Sequence, residues 1–203
     1  MREHWNKAYA EKGEAGVSWF EAVPETSLAL IRTLDSSPGA SMIDIGGGAS
    51  RLVDALVEAG GLAITVLDLS GEALAKARDR LGERGEAVEW IEADVTTWMP
   101  VRQYDIWHDR AAFHFLVEPG KRAAYVARAA EALVPGGNLV IATFAPDGPE
   151  RCSGLPVMRY DAQGLANVFR DHFEPVDALR HVHQTPWGAT QSFQYAVLRR
   201  TGR

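Results

Sequence analysis

The segment Ser41-Met42-Ile43-Asp44-Ile45-Gly46-Gly47-Gly48-Ala49-Ser50 constrains this chain more than any other. An apolar run ends in an acid. A glycine-rich turn then opens a stretch with helical apolar spacing at Leu52, Val53, Ala55, Leu56 and Ala59. Glycines let a backbone turn tightly and approach a ligand closely. The free N–H groups of a following helix attract a carboxylate or phosphate. A second apolar run, Leu62–Leu67, leads to Asp68, 20 residues beyond Gly48. An acid there suits the paired hydroxyls of a ribose. The pattern is not the dinucleotide fingerprint, because Arg51 stands where the last glycine of G-x-G-x-x-G belongs. The G-K-[ST] of a phosphate-binding loop is also missing. An acid just before the glycines repels a pyrophosphate and tolerates a ligand bearing an ammonium and a sulfonium.

The same alternation continues along the chain. Ser70 is placed to cap a helix that runs to Leu81 and stops at Gly82. Ala87–Ile91, Tyr104–His108 and Asn138–Phe144 read as further strands, with a helix over Lys121–Leu133 stopped by Pro135-Gly136-Gly137. Strands alternating with helices predict an α/β fold with a parallel, doubly wound sheet and right-handed crossovers. After a helix at Asp161–Phe169, two long strands (Pro175–His183 and Gln191–Arg199) flank Thr185-Pro186-Trp187-Gly188, which predicts an antiparallel hairpin at the sheet edge. One domain is expected over 1–203: a helical lid region at 1–38, a cofactor-binding core at 39–145, and an acceptor loop with the hairpin at 146–203.

Composition narrows the function classes. A formal net charge of −6 argues against a nucleic-acid partner, which needs concentrated Lys and Arg. One cysteine excludes an internal disulfide framework. No apolar run approaches the ~20 residues of a membrane span, and Met1-Arg2-Glu3-His4 does not begin a signal peptide, so the expected location is cytoplasmic, away from membranes.

D-I-G-G-G-A-S, V-L-D-L-S, E-A-D-V, Y-D-I-W-H-D-R and L-V-P-G-G-N-L-V-I follow one another in an order that resembles the class I S-adenosylmethionine-dependent methyltransferases. W-N-K-A-Y, V-S-W-F-E, C-S-G-L-P-V-M-R-Y and H-Q-T-P-W-G-A-T-Q-S-F resemble a small bacterial subgroup without an assigned acceptor. The resemblance implies a Rossmann-like, seven-stranded, mostly parallel sheet with an antiparallel C-terminal strand. It implies that S-adenosylmethionine is the cofactor and S-adenosylhomocysteine its product. Asp44, Gly46, Gly47 and Gly48 would lie under the methionine part, with Ser50 replacing the usual third glycine. Asp68 would take the ribose hydroxyls, Leu69 would pack on adenine, and Asp94 and Val95 would meet its amino edge.

Asp109 and Arg110 follow the fourth strand, where ligands bind in such sheets. Asp109 would contact cofactor or acceptor, or else pair with a nearby arginine. His114 is a candidate general base or a satisfied, half-buried histidine. Trp5 and Trp19, with Tyr9 and Phe20, would form an aromatic lid over the cofactor or pack a helix on the sheet. Arg110, Cys152, Arg159 and His183 are candidates for the acceptor pocket. His181 and His183 share a strand face without accompanying carboxylates, so no metal is expected. The acceptor is expected to be a small molecule, with a protein lysine as the alternative, and the chain a monomer or homodimer. A cofactor-binding protein without transfer activity is the reading from another class.

Overall fold

A computed structural model describes residues 1–12, 16–34 and 37–202; residues 13–15, 35–36 and 203 of the expected regions lie outside it. The central strands form where β-branched and aliphatic residues cluster. They are β1 (Ala40–Ile45), β2 (Leu62–Asp68), β3 (Glu89–Glu92), β4 (Tyr104–Arg110) and β5 (Leu133–Phe144). Arg151–Cys152 and Leu155–Pro156 form a small separate hairpin, β6 and β7. The long strands β8 (Phe173–Gln184) and β9 (Thr190–Arg200) close the chain. Seven strands make one sheet in the order β3-β2-β1-β4-β5-β9-β8. β3, β2, β1, β4 and β5 pair in parallel, whereas β9 runs antiparallel to both of its neighbours. This is the expected architecture, with the last strand inserted between β5 and β8.

The helices are α1 (Arg2–Lys12), α2 (Glu25–Thr33), α3 (Leu52–Ala59), α4 (Gly71–Leu81), α5 (Pro119–Ala132) and α6 (Ala162–Phe169). Ser70 caps α4 by accepting from the Ala73 N–H at 3.2 Å. Strand side chains alternate between faces, and this sorts the core. Ile43, Ile45 and Trp107 pack with Tyr125, Ala129 and Leu165 on the α5–α6 face. Met42, Ile64, Val66 and Ile106 pack with Leu28, Leu52, Leu56 and Leu74 on the α2–α3–α4 face.

The alternation also sorts polar residues on β4. Trp107 and Asp109 face α5, where Trp107 Nε1 donates to Tyr125 Oη at 2.9 Å. His108 and Arg110 face the N-terminal layer. His108 is buried there, its Nδ1 2.6 Å from Asp44 Oδ1 and its Nε2 2.9 Å from Ser27 Oγ on α2.

Candidate active site

A cavity of about 250 Å³ opens at the C-terminal ends of β1, β2 and β4. Ligands collect there in open α/β sheets, because strands end and loops diverge. A smaller cavity of about 50 Å³ adjoins it, lined by Asp44, Gly47, Ser50 and Glu21; Tyr9, Trp19, Gly46 and Arg110 line both.

The glycine turn is shaped by close approach. Gly46 has φ +67°, and a Cβ there would lie 2.6 Å from Ala112 Cβ. Gly48 has φ +33°, and a Cβ there would lie 2.6 Å from Asp68 Oδ2. A side chain at either position would drive the turn into β2's end or the loop after β4. That loop carries its own strain, since Ala111 adopts φ 70°, a conformation that costs a non-glycine residue on the order of 1–3 kcal/mol.

Asp68 is buried at the cavity edge, and its Oδ1 accepts from Ser70 N–H at 2.7 Å. Burial pushes its carboxyl up to about 7, helped by the neighbouring Asp44 and opposed by the Ser70 N–H. Leu69, Asp94 and Val95 continue the same wall. Asp94 Oδ1 accepts from the N–H and hydroxyl of Thr96, at 2.9 and 2.7 Å.

The opposite wall is aromatic. Trp5 on α1 meets Trp19 and Phe115 edge to face, with ring centroids 5.7 and 4.9 Å apart. α1 is tied to α4 by Ser70 Oγ, which donates to Asn6 Oδ1 at 2.7 Å. Cys152 is buried and lines the cavity with Leu155 and Pro156.

Several expected site residues do not present free groups to the two cavities. Asp109 is fully buried on the α5 face and does not line the cavity. Its carboxylate accepts from Tyr125 Oη at 2.5 Å and from the N–H groups of Ala112 and Phe113 at 2.8 and 3.0 Å. Burial pushes it up to about 6 against these bonds. The acid after β4 thus shapes the loop, and among the described residues it pairs with no arginine. His114 is also fully buried, and its Nδ1 accepts from the Phe144 N–H at 3.3 Å. Its basic lone pair is therefore engaged, and burial with the Arg110 charge pushes its pKa down to about 3. Arg159 bonds to the Gly148 carbonyl and to Glu150, off the cavity. His183 is buried behind the segment that carries Trp19 and lines neither cavity. Arg110 reaches both cavities, yet its three nitrogens donate within the protein: to Tyr195 Oη, the Trp19 carbonyl and Glu21. Gly48 supports the turn from behind and lines neither cavity.

The sequence reading missed Phe115, which completes the aromatic wall, and Glu21, which joins Arg110 to His183. Phe115 falls in a short 3₁₀ turn, Phe113–Phe115, too brief for periodicity to show. Glu21 is a single acid outside any periodic segment, so the sequence carries no signal for it.

The sequence profile of a methyltransferase domain matches residues 42–137. That span of the chain is similar to a methyltransferase domain. The glycine turn, Asp68 and β4 all fall within the matched span. Solved structures share the fold of the whole chain. One, from work on the conversion of a disulfide bond into a thioacetal group during echinomycin biosynthesis, is 20% identical over 99% of this chain and 93% of that chain, with a TM-score of 0.79. The N-methyltransferase NodS from Bradyrhizobium japonicum WM9, in complex with S-adenosyl-L-homocysteine, is 16% identical over 96% and 97%, with a TM-score of 0.73. The Burkholderia thailandensis 1,6-didemethyltoxoflavin-N1-methyltransferase, with 1,6-didemethyltoxoflavin and S-adenosylhomocysteine bound, is 24% identical over 98% and 84%, with a TM-score of 0.70. No curated protein matches the chain. Among the described residues, no group of His, Cys, Asp and Glu is arranged to hold a metal ion, and no helix is long and apolar enough to cross a membrane.

Proposed function

We propose that this chain transfers a methyl group from S-adenosylmethionine to a small-molecule acceptor. The observation that carries the reading is the 250 Å³ cavity, with a buried carboxylate on one wall and an aromatic roof on the other. The residues fit the cofactor. Asp68 is a buried acid whose raised pKa marks a carboxylate short of donors, as an acceptor of ribose hydroxyls would be before they arrive. Leu69 and Val95 offer apolar surface to a flat base, and Asp94 offers a carboxylate oxygen to its amino edge. Asp44, Gly46 and Gly47 face the adjoining small cavity, where the methionine part would lie.

When bound, the cofactor supplies an electrophilic methyl group on a sulfonium. This chain's residues then bind, orient and exclude water. Orientation alone can contribute on the order of 7–11 kcal/mol in favourable cases. Trp5 and Trp19 present aromatic edges and faces that suit a cation and shield it from water. Asp109 and His114 support the loop after β4 and take no proton from the acceptor. A nucleophile that already carries a free lone pair at neutral pH suits such a site. The N-methyltransferases among the solved relatives favour a small acceptor over a protein side chain.

The test uses labelled S-adenosylmethionine, purified protein and host extract separated into metabolites and macromolecules. Label confined to the small fraction, and lost in Asp68→Ala, supports the reading. Label on a discrete protein band moves the assignment to protein lysine methylation. Cofactor binding with no label in either fraction moves it to a binding protein without transfer activity.

A further inference from the structure

The segment Val17–Glu21 brings Trp19 to the cavity, and it is fastened from behind. Arg110 donates Nη1 to the Trp19 carbonyl and Nη2 to Glu21 Oε1, both at 2.9 Å. His183 on β8 reaches the same segment twice. Its Nδ1 lies 3.2 Å from Glu21 Oε1, and its Nε2 lies 2.8 Å from the Ser18 carbonyl oxygen. A carbonyl oxygen can only accept. A carboxylate oxygen that already takes a guanidinium N–H can only accept as well. His183 satisfies both partners only when both ring nitrogens carry protons.

We propose that His183 is a positioning residue whose second proton locks the Ser18–Glu21 strap, and with it Trp19, against the cofactor cavity. The role assigned to the cavity rests on the methyl-transfer reading; the lock itself does not. The groups facing His183 agree with a cation there. Glu21 faces it from the strap. Burial raises the Glu21 carboxyl, but the His183 bond and the charges of Arg110 and His183 outweigh that and hold it below its ordinary value. His181, two residues along β8, is 3.1 Å from Thr26 Oγ1 through Nδ1. Burial lowers the His181 pKa below its ordinary value; the pull of Glu21 opposes this, and repulsion from Arg110 and His183 adds to it. The ring of Phe193 on β9 meets His183 edge to face at 6.2 Å, and Tyr195 Oη takes the third nitrogen of Arg110. One carboxylate thus faces a permanent cation and two titratable rings, His183 at 3.2 Å and His181, more distant, at 4.0 Å. Loss of the second His183 proton removes one of the two His183 anchors while Arg110 keeps its own.

The test is made on the ligand-free full chain, with ¹⁵N-labelled histidine observed by NMR across pH 5.5–9. The His183 resonances, assigned among the six histidines by their loss in His183→Gln, should show both ring nitrogens protonated at low pH. Hydrogen exchange over 17–21, corrected for intrinsic pH dependence, should accelerate about tenfold as that ring loses its proton, the equivalent of one charge-assisted hydrogen bond. In His183→Gln it should be fast at every pH. A His183 ring that keeps one bare nitrogen down to pH 5.5 overturns the proposal. So does a doubly protonated ring whose titration leaves exchange at 17–21 unchanged. Both measurements work on the wild-type chain if His183→Gln fails to fold. Neither uses a methyl donor, so they report on the lock even if the methyl-transfer reading fails.

Discussion

With its carboxyl near 7, Asp68 is half protonated close to neutrality. A protonated acid cannot accept two hydroxyls through both oxygens, so S-adenosylhomocysteine should bind more weakly as pH falls. The expected loss is about tenfold in Kd from pH 8 to pH 6, and Asp68→Asn should flatten the profile at the weaker limit. The same shift acts on folding with the opposite preference. The folded pKa lies above the ordinary 3.8, so the unfolded chain releases this proton first, and the Asp68 contribution to stability declines as pH rises from about 4 to about 7. Asp109 should report on folding rather than binding. Asp109→Ala would strand the Tyr125 hydroxyl and two backbone N–H groups. Each buried donor left unsatisfied costs on the order of 1–3 kcal/mol, so chemical denaturation should show a loss of about 3 kcal/mol or more. Asp68 was legible in the sequence because a strand end at fixed spacing from the glycine turn has one place to go. Asp109 and His114 were placed at the right end of the sheet but not on the right face. Alternation along β4 separates Trp107 and Asp109 from His108 and Arg110, yet only the packing of α5 decides which set meets the cavity.

The elements that read well from sequence are those with a strong period or a sharp stop. Ser70 as the cap of α4 and Pro135-Gly136-Gly137 as a break in the helical run were both visible. The structure carries β5 through those three residues, with Leu133 paired to Tyr104 and the register shifting before Asn138. The helix α1 had no such signal, because its sequence REHWNKAYAEK presents no continuous apolar stripe. It is held instead by Trp5, Tyr9 and the Asn6–Ser70 bond. Ser70 therefore joins two functions. Ser70→Ala should lower stability by about 1 kcal/mol through the lost cap, seen as a lower melting temperature. It should also weaken S-adenosylhomocysteine binding by loosening α1 from α4. Gly46→Ala acts at the turn itself. With a positive φ and Ala112 so close, the turn must shift, and S-adenosylhomocysteine should give no thermal shift in a chain that still folds.

Across the whole molecule, strand–helix alternation predicted the parallel sheet, and the two long terminal strands predicted the hairpin. The family resemblance implies an antiparallel last strand, but the place of β9 between β5 and β8 emerges only in the fold. The acceptor was least legible. The cavity proposed to take it is walled by α1, the loop after β4 and the β6–β7 turn, segments far apart in sequence that meet only in the fold. A calorimetric titration of the purified chain with S-adenosylhomocysteine tests the central claim most directly. The account predicts one site per chain in the wild type, with binding lost or greatly weakened in folded Asp68→Ala and Gly46→Ala. A folded wild-type chain that gives no binding signal, or variants that bind as tightly as the wild type, would contradict it.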